Sequence, residues 1–392
     1  MRTLCYGRNT VKTFEEVNEK IRAGNVVVVT AEELIGRVAE RGVSKTAQEV
    51  DVVTTATFGP MCSSGAFLNF GHSEPPIRMG HITLNDVEAY GGLAAVDTYI
   101  GATQPSETQG IEYGGAHVIE DLIAGKTIKL HATSPGTDCY PRKEIETEIS
   151  LDTINQAYMY SPRNVYQNYP AATNSSKRVI QTYMGTLLPN HGNITYTTSG
   201  ELSPLLKDPQ LRTIGQGTRI FFGGGVGYVA WEGSQFVLNH AELDNGDTWN
   251  AGATLALIGD LRGMSTKYIR GATYSGYGTT MLVGMGIPIP VLDEELCAQL
   301  AATNAHLHTY IQDYSQPTRN REKLQRVSYA ELRSGSVQFN GHSVTTAPLS
   351  SLKIAREIAD ILKQWIAQGT FELQEPIASL PKDRVFKPLN IK

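Results

Sequence analysis

Two cysteines in turn-forming segments carry the chemistry that the sequence suggests. Cys62 lies in GPMCSSG, after a predicted strand that ends at Phe58. Its small neighbours Ser63 and Ser64 leave backbone N–H groups free, and a helix beginning there would stabilise a thiolate. We therefore predict that Cys62 is a nucleophile. The alternative is a small buried cysteine that fills a turn.

Cys139 has a similar setting in SPGTDCYPRKE, after a predicted strand over residues 127–131. Arg142 and Lys143 favour a thiolate there, whereas Asp138 opposes it. The alternative is a loop cysteine without a role. Because strand ends in α/β folds gather ligands, we expect the two cysteines to face one site.

The other two cysteines have weaker claims to a role. Cys297 falls in the middle of a predicted helix, which favours a packed residue. Cys5 is near the start of the chain, where it is either idle or a third thiol of the site. No CxxC motif occurs, so a conventional zinc or ferredoxin-type site is not encoded. An iron–sulfur cluster held by Cys5, Cys62 and Cys139 stays open as an alternative.

One histidine and one glycine-rich segment complete the candidates. His72, in NFGHSEPP, can serve as an acid or base near neutral pH, or can simply be a turn residue. The segment FFGGGVG at 221–227 contains G-x-G but lacks the following helix and the acidic residue of a dinucleotide site. Close backbone packing, or a substrate that approaches the backbone, explains these glycines better than a nicotinamide cofactor does.

The elements that must position these residues alternate between helix and strand in the first half of the chain. Thr13 with Glu16, and Thr30 with Glu33, are typical of capped helix starts. The second half is rich in glycine and predicted β-strands, and residues 350–368 have the apolar spacing of a C-terminal helix. We predict an α/β fold, with mixed α+β as the alternative. We expect one catalytic domain over 1–392, with a possible subdivision into 1–178 and 179–392.

Composition sets broad limits on function. The chain has 392 residues, 41 % hydrophobic and 19 % charged, with a formal net charge of −5. This balance is typical of a packed protein and gives no reason to expect nucleic acid or a membrane as partner. No signal peptide and no spanning run of apolar residues occurs. Four scattered cysteines predict a reducing cytoplasm, and the size of the chain favours a homo-oligomer.

The two cysteine segments, GPMCSSGAFLNFGHSEPPI and SPGTDCYPRKE, carry a resemblance. With GGGVG at 223–227 and GDLRGM at 259–264, the chain resembles the homocysteine-biosynthesis, sulfur-incorporation family, whose members are L-aspartate semialdehyde sulfurtransferases. The resemblance implies that sulfide joins L-aspartate 4-semialdehyde and that the product is reduced to L-homocysteine. By motif, the two cysteines of that family fall on Cys62 and Cys139. Because the chain stops soon after residue 368, we expect it to lack the C-terminal pair of CBS modules.

The implied activity assigns roles to nearby residues. Two thiolates can reduce a thiocarbonyl-level adduct by closing to a disulfide, which a ferredoxin-like partner would reopen. His72 is the candidate general acid. The expected substrate-binding residues are cations for the carboxylate, carboxylates for the ammonium group, and two hydroxyls beside the nucleophile: Arg142, Arg78, Asp138, Glu74, Ser63 and Ser64. A protein that only carries sulfur to another enzyme is the non-catalytic alternative.

Overall fold

The computed structural model describes residues 11–164, 169–236, 239–242, 248–251, 253–318, 321–385, 387 and 389–391, with the backbone alone for 239–242 and 248–251. Within these ranges the α-helices are α1 (Phe14–Arg22), α2 (Ala31–Arg41), α3 (Val43–Glu49), α4 (Gly115–Ile123), α5 (Pro204–Lys207), α6 (Glu294–Leu300), α7 (Tyr329–Arg333) and α8 (Leu352–Ala367). Short 3-10 turns occupy Gly200–Leu202 and Leu261–Gly263. None of the described helices is long and apolar enough to cross a membrane.

Strands dominate the rest of the described chain. The first half contains β1 (Val28–Thr30), β2 (Val52–Pro60), β3 (Gly65–Asn69), β4 (His81–Leu84), β5 (Val87–Tyr90), β6 (Asp97–Gly101), β7 (Pro105–Ser106), β8 (Gly110–Gly114), β9 (Ile128–Thr133), β10 (Glu144–Ile149), β11 (Gln156–Asn164), β12 (Ala171–Thr173), β13 (Ile180–Thr182), β14 (Gly185–Leu187) and β15 (Ile194–Tyr196). The second half contains β16 (Gly215–Gln216), β17 (Arg219–Phe222), β18 (Gly225–Glu232), β19 (Asn239–Glu242), β20 (Thr248–Ala251), β21 (Leu255–Asp260), β22 (Ile269–Tyr274), β23 (Gly278–Pro290), β24 (His308–Asp313), β25 (Lys323–Ser328), β26 (Ser336–Phe339), β27 (His342–Pro348) and β28 (Ala378–Ser379).

Two large sheets organise these strands. A 16-stranded sheet follows the path β1-β2-β23-β17-β18-β21-β11-β3-β6-β5-β4-β9-β10, with β22, β7 and β8 paired beside it. On this path β1 and β2 are parallel, and the other neighbouring strands are antiparallel. A six-stranded sheet follows β25-β24-β12-β15-β27-β26. The α/β class is therefore confirmed in its mixed form, and the large sheet takes strands from both sides of residue 178.

The large sheet must curl between β2 and β3. These strands lie six steps apart on the ladder, which in a flat sheet would separate them by roughly 29 Å. In the chain, only residues 61–64 connect them, and so short a connection spans at most about 18 Å. The ladder therefore bends back until the start of β3 stands beside the end of β2. That junction is the segment that contains Cys62.

Local sequence signals placed the N-terminal helices and the C-terminal helix correctly. Thr13 and Thr30 form capping boxes with Glu16 and Glu33 at the starts of α1 and α2, as predicted. The C-terminal helix α8 packs its apolar side on β2 and β23 and buries Ile358, Leu362 and Ile366 completely. His306 and His308 do not share a helix, because His308 begins β24. They are two positions apart at a turn that enters a strand.

Candidate active site

Cys62 occupies a tight turn between two strands and not the start of a helix. The Ser64 amide donates to the Met61 carbonyl at 3.1 Å, which closes the turn, and the Met61 amide donates to the Met281 carbonyl of β23 at 2.7 Å. Strand β2 continues past the end that the sequence predicted at Phe58, because it includes Gly59 and Pro60. The expectation that a helix dipole acts on Cys62 is wrong, since β3 begins at Gly65.

The turn opens into a cavity of about 450 Å³. Cys62 lines it together with Arg163 and three tyrosines, Tyr169, Tyr183 and Tyr277. Cys62 itself is half-buried. A thiol, a guanidinium cation and phenol groups thus border one volume of the size that proteins use for small ligands.

A hydroxyl and a phenol lie beside the sulfur of Cys62. Thr280 Oγ1 of β23 donates to Cys62 Sγ at 3.0 Å, and the Tyr277 side chain is close enough to interact electrostatically with the same sulfur. Burial, together with the nearby Cys62, raises the pKa of Tyr277 and raises the pKa of Tyr274 to about 12. Both phenols therefore keep their protons at neutral pH, and Tyr277 can act as a hydrogen-bond donor to the thiolate.

The two serines after Cys62 have different surroundings. Ser63 lines the cavity, and its Oγ accepts hydrogen bonds from Arg163 Nε at 3.1 Å and Nη2 at 3.0 Å. Ser64 is 2 % exposed, and its hydroxyl lies 3.1 Å from Ser161 Oγ beneath the turn. Ser63 is therefore the predicted serine that reaches the cavity, while Ser64 braces the turn from below.

The tyrosines of the cavity form a connected group with Tyr314. Tyr169 donates its hydroxyl to Tyr183 at 2.8 Å, and the rings of Tyr183 and Tyr314 meet edge to face with centroids 5.7 Å apart. The rings of Tyr183 and Tyr277 meet edge to face with centroids 6.1 Å apart. Tyr183 therefore contacts the other three tyrosines of this group.

A second cluster contains most of the other predicted residues. Cys139 is exposed in the hairpin loop between β9 and β10, and the ring of its neighbour Tyr140 stacks on His72 at 6.2 Å between centroids. Arg142 donates to the carbonyl of Glu74 at 2.7 Å, which ties this loop to the loop that contains His72. Asp138 and Arg78 are exposed side chains of the same two loops.

The two clusters lie at opposite ends of the strands in one chain. Cys62 precedes Gly65, the first residue of β3, whereas Cys139 follows Thr133, the last residue of β9. The register aligns Thr133 with Phe67 through three residues of the intervening strands, His81, Tyr90 and Tyr99. From the common level of Phe67 and Thr133, Cys62 lies before the start of β3 and Cys139 lies beyond the end of β9. The two cysteines are therefore reached in opposite directions along the strands. Within one chain, Cys139 and His72 therefore do not share a site with Cys62.

The remaining cysteines do not complete a cluster. Cys297 is fully buried in α6, as predicted, and burial raises its pKa to about 11. Cys5 lies outside the described residues. Among the residues that are described, no group of three or more histidine, cysteine or carboxylate side chains could hold a metal ion. Because Cys62 and Cys139 lie at opposite ends of the strands, an iron–sulfur cluster on both of them does not fit a single chain.

Sequence reasoning missed the residues that surround Cys62 in space. Arg163 is the penultimate residue of β11, Tyr277 lies in the loop between β22 and β23, and Thr280 is on β23. No motif marks Arg163, and the glycines beside Tyr277 indicated only a turn. These residues become visible as a site because the curled ladder brings β11 and β23 to the junction of β2 and β3.

Comparisons with known proteins agree over nearly the whole chain. The family described as homocysteine biosynthesis enzyme, sulfur-incorporation, matches residues 26–373. A protein of Methanosarcina acetivorans named L-aspartate semialdehyde sulfurtransferase is 52 % identical over 95 % of this chain and 72 % of its own length. A protein of the same name from Methanocaldococcus jannaschii is 51 % identical over 94 % of this chain and 73 % of its own length. No solved structure matches the chain.

Proposed function

This chain belongs to the homocysteine-biosynthesis, sulfur-incorporation family of sulfurtransferases, and from that membership we propose that it converts L-aspartate 4-semialdehyde and sulfide to L-homocysteine at Cys62. The observation that carries the proposal is the cavity of about 450 Å³ that Cys62 shares with Arg163. Two relatives of about half-identical sequence are named for the same aldehyde. A small amino acid that bears a carboxylate and an aldehyde matches a site with one cation and one thiol.

Arg163 is the proposed anchor for the substrate carboxylate. Its guanidinium borders the cavity and is oriented by two hydrogen bonds to Ser63 Oγ. Arginine binds carboxylates with directed, charge-assisted hydrogen bonds. The ring faces of Tyr169 and Tyr183 offer a cation–π surface to the substrate ammonium group. This replaces the predicted anchors Arg142, Arg78, Asp138 and Glu74, which belong to the loops at the other end of the strands.

The proposed reaction begins with addition and dehydration. Hydrosulfide adds to the aldehyde carbon, forms a C–S bond and leaves the oxygen as an alkoxide, which takes a proton to give a thiohemiacetal. Loss of water then gives a thioaldehyde. No electrons have been transferred at this stage, and two are needed to reach the thiol.

Two thiolates supply those electrons in the proposed second stage. The Cys62 thiolate attacks the thioaldehyde sulfur, and a proton adds to carbon, which leaves homocysteine joined to Cys62 as a mixed disulfide. A second cysteine thiolate attacks Cys62 Sγ, releases the homocysteine thiolate and closes a protein disulfide. An external donor of two electrons, such as a ferredoxin-like protein, then reopens that disulfide.

We propose that the second thiolate is Cys139 of another copy of this chain. Cys139 is exposed at a hairpin tip, so it is accessible for delivery to another molecule. Cys297 is fully buried. The Cys139 that belongs to the same chain as Cys62 lies at the opposite end of the strands. The proposal therefore requires a homo-oligomer, which is also the usual state of soluble enzymes of this size.

Anaerobic turnover tests the proposed function. Purified protein is given L-aspartate 4-semialdehyde, sulfide and a dithiol reductant, and homocysteine is measured by mass spectrometry. We expect the wild type and Cys297→Ala to form homocysteine, since Cys297 is remote from the cavity, and Cys62→Ala to form none. Homocysteine from Cys62→Ala would remove Cys62 from the reaction. A wild type that forms persulfide and passes sulfur to other proteins, but makes no homocysteine, would favour a sulfur carrier instead.

A further inference from the structure

We propose that Tyr277 is the general acid that expels water from the thiohemiacetal, and that it then takes the proton of Cys62. The inference rests on the proposed function and names a catalytic residue for it. His72, the acid suggested by the sequence, stacks on Tyr140 beside Cys139 and is at the other end of the strands from Cys62. The acid must instead come from the cavity wall.

The hairpin between β22 and β23 fixes the position of Tyr277. Its amide donates to the Tyr274 carbonyl at 3.0 Å, which closes the loop. Gly276 has φ +66°, and a Cβ at that position would come within 2.8 Å of Gln181 Cγ. A side chain there would strain the backbone and push against β13. The loop thus holds Tyr277 against its neighbours and presents its hydroxyl to the cavity.

Tyr277 is the phenol of the described cavity wall that interacts with Cys62. Both residues border the cavity and Cys62 affects Tyr277 electrostatically, whereas the hydroxyls of Tyr169 and Tyr183 are bonded to each other. A substrate carbon that approaches Cys62 Sγ therefore brings its oxygen within reach of the Tyr277 hydroxyl. Thr280 donates to this sulfur, but an aliphatic hydroxyl is too weak an acid for the task.

The proton balance links dehydration to activation of Cys62. The alkoxide formed by addition takes the proton of its own new thiol group, which gives a thiohemiacetal thiolate. This thiolate loses its hydroxyl group, which takes the Tyr277 proton and leaves as water, while the C–O bond breaks and C=S forms. The resulting tyrosinate takes the proton of the neighbouring Cys62 thiol. Tyr277 is restored, and Cys62 becomes the thiolate that attacks the thioaldehyde sulfur.

Tyr277→Phe tests the inference, with Tyr274→Phe as the matched control. Tyr274 is close enough for Cys62 to affect its pKa, but it does not line the cavity. We expect Tyr277→Phe to lower kcat for homocysteine by about 10²-fold or more, with KM for the aldehyde within about threefold of wild type. Tyr274→Phe should keep kcat within about threefold.

A second readout separates an acid from a merely structural tyrosine. Alkylation of Cys62 by iodoacetamide, followed against pH by peptide mass spectrometry, should have its midpoint at higher pH in Tyr277→Phe, because a donor to the thiolate is lost. Replacing Tyr277 with 3,5-difluorotyrosine keeps its size and should move the alkaline limb of kcat to lower pH. Retention of wild-type kcat in Tyr277→Phe, or an unmoved alkaline limb, would overturn the acid role while the proposed function stands. A wild type that makes no homocysteine would refute the proposed function, and the acid role with it.

Discussion

Mixing two inactive variants tests whether Cys62 and Cys139 meet between subunits. Each variant, Cys62→Ala or Cys139→Ala, lacks one thiol of every site when it assembles alone. In a mixed oligomer, a site that takes Cys62 from one variant and Cys139 from the other is complete. Because the structure separates the two cysteines within one chain, activity should return on mixing.

The separation follows from the register of the large sheet. Gly65 of β3 and Thr133 of β9 are four strand spacings apart and about two residues out of level. These steps correspond to roughly 20 Å along the sheet. The connecting loops then leave in opposite directions towards the two cysteines. Disulfides require Cα atoms within about 7 Å, so one chain cannot close this bond without moving several strands.

The amount of recovered activity is predictable. With random exchange, the subunit that supplies position 62 carries a cysteine there half of the time, and so does the subunit that supplies position 139. About a quarter of the sites are then complete, so about a quarter of wild-type activity should return. The assay unfolds an equimolar mixture in mild denaturant, refolds it anaerobically and measures homocysteine. Each variant refolded alone is the control. An equimolar refolding of wild type with Cys62→Ala should keep about half of the wild-type activity whether or not subunits exchange, because both chains carry Cys139, and it therefore calibrates the recovery after refolding.

Two results would refute this reasoning. If Cys139→Ala alone is fully active, the second thiol is not Cys139 in any arrangement. If both variants are inactive alone and the mixture stays inactive although mass spectrometry detects mixed oligomers, the two cysteines act within one chain. That outcome would require the hairpin loop with Cys139 to leave its contacts with the loop around His72 and Glu74.

Two further predictions concern the cavity cation and a buried lysine. Arg163→Ala should raise KM for L-aspartate 4-semialdehyde by roughly 10- to 100-fold in steady-state assays, and Arg163→Lys by less, because a bidentate charged contact contributes about 1.5–3 kcal/mol; an unchanged KM would place the carboxylate elsewhere. Lys207 is fully buried and donates to the carbonyls of Leu300 and Ala302, and burial lowers its pKa from 10.5 to about 7. Between these values the unfolded chain holds more protons than the folded one, so this residue makes stability rise with pH above 7, by at most about 1.4 kcal/mol per unit. Urea unfolding at pH 7 and pH 9 should show a smaller rise in Lys207→Met; an equal rise would contradict the assignment.

The sequence predicted elements well where the signal is local. The capping boxes at Thr13 and Thr30 and the apolar spacing of 350–368 gave helices close to the observed bounds, because caps and helical periodicity act over a few residues. The hairpins between residues 65 and 114 were not predicted. Their pairing depends on partners elsewhere on the ladder, such as β11 beside β3, and a single stretch of sequence does not encode its partner.

The candidate site likewise contains residues that a local sequence signal identified and residues that no local signal marked. Cys62 was found because its segment is unusual in itself, and Ser63 came with it. Arg163 and Thr280 reach the same sulfur or serine from strands about a hundred and more than two hundred positions along the chain. Their types are ordinary for strands, so their contribution depends on tertiary structure that the sequence alone did not reveal.

The expectation that both cysteines face one site failed for a reason that lies in the sheet. In a parallel sheet the carboxyl ends of all strands share one edge, and residues that follow different strands meet there. Here Cys62 follows β2 but also precedes β3, because residues 61–64 carry the chain from the end of one strand to the start of the other. The register places β9 level with β3 and not with β2. Cys139, at the end of β9, is therefore at the far end of β3 from Cys62, although both cysteines follow a strand. The same geometry leaves Cys139 exposed at the tip of a hairpin, where a second copy of the chain can use it.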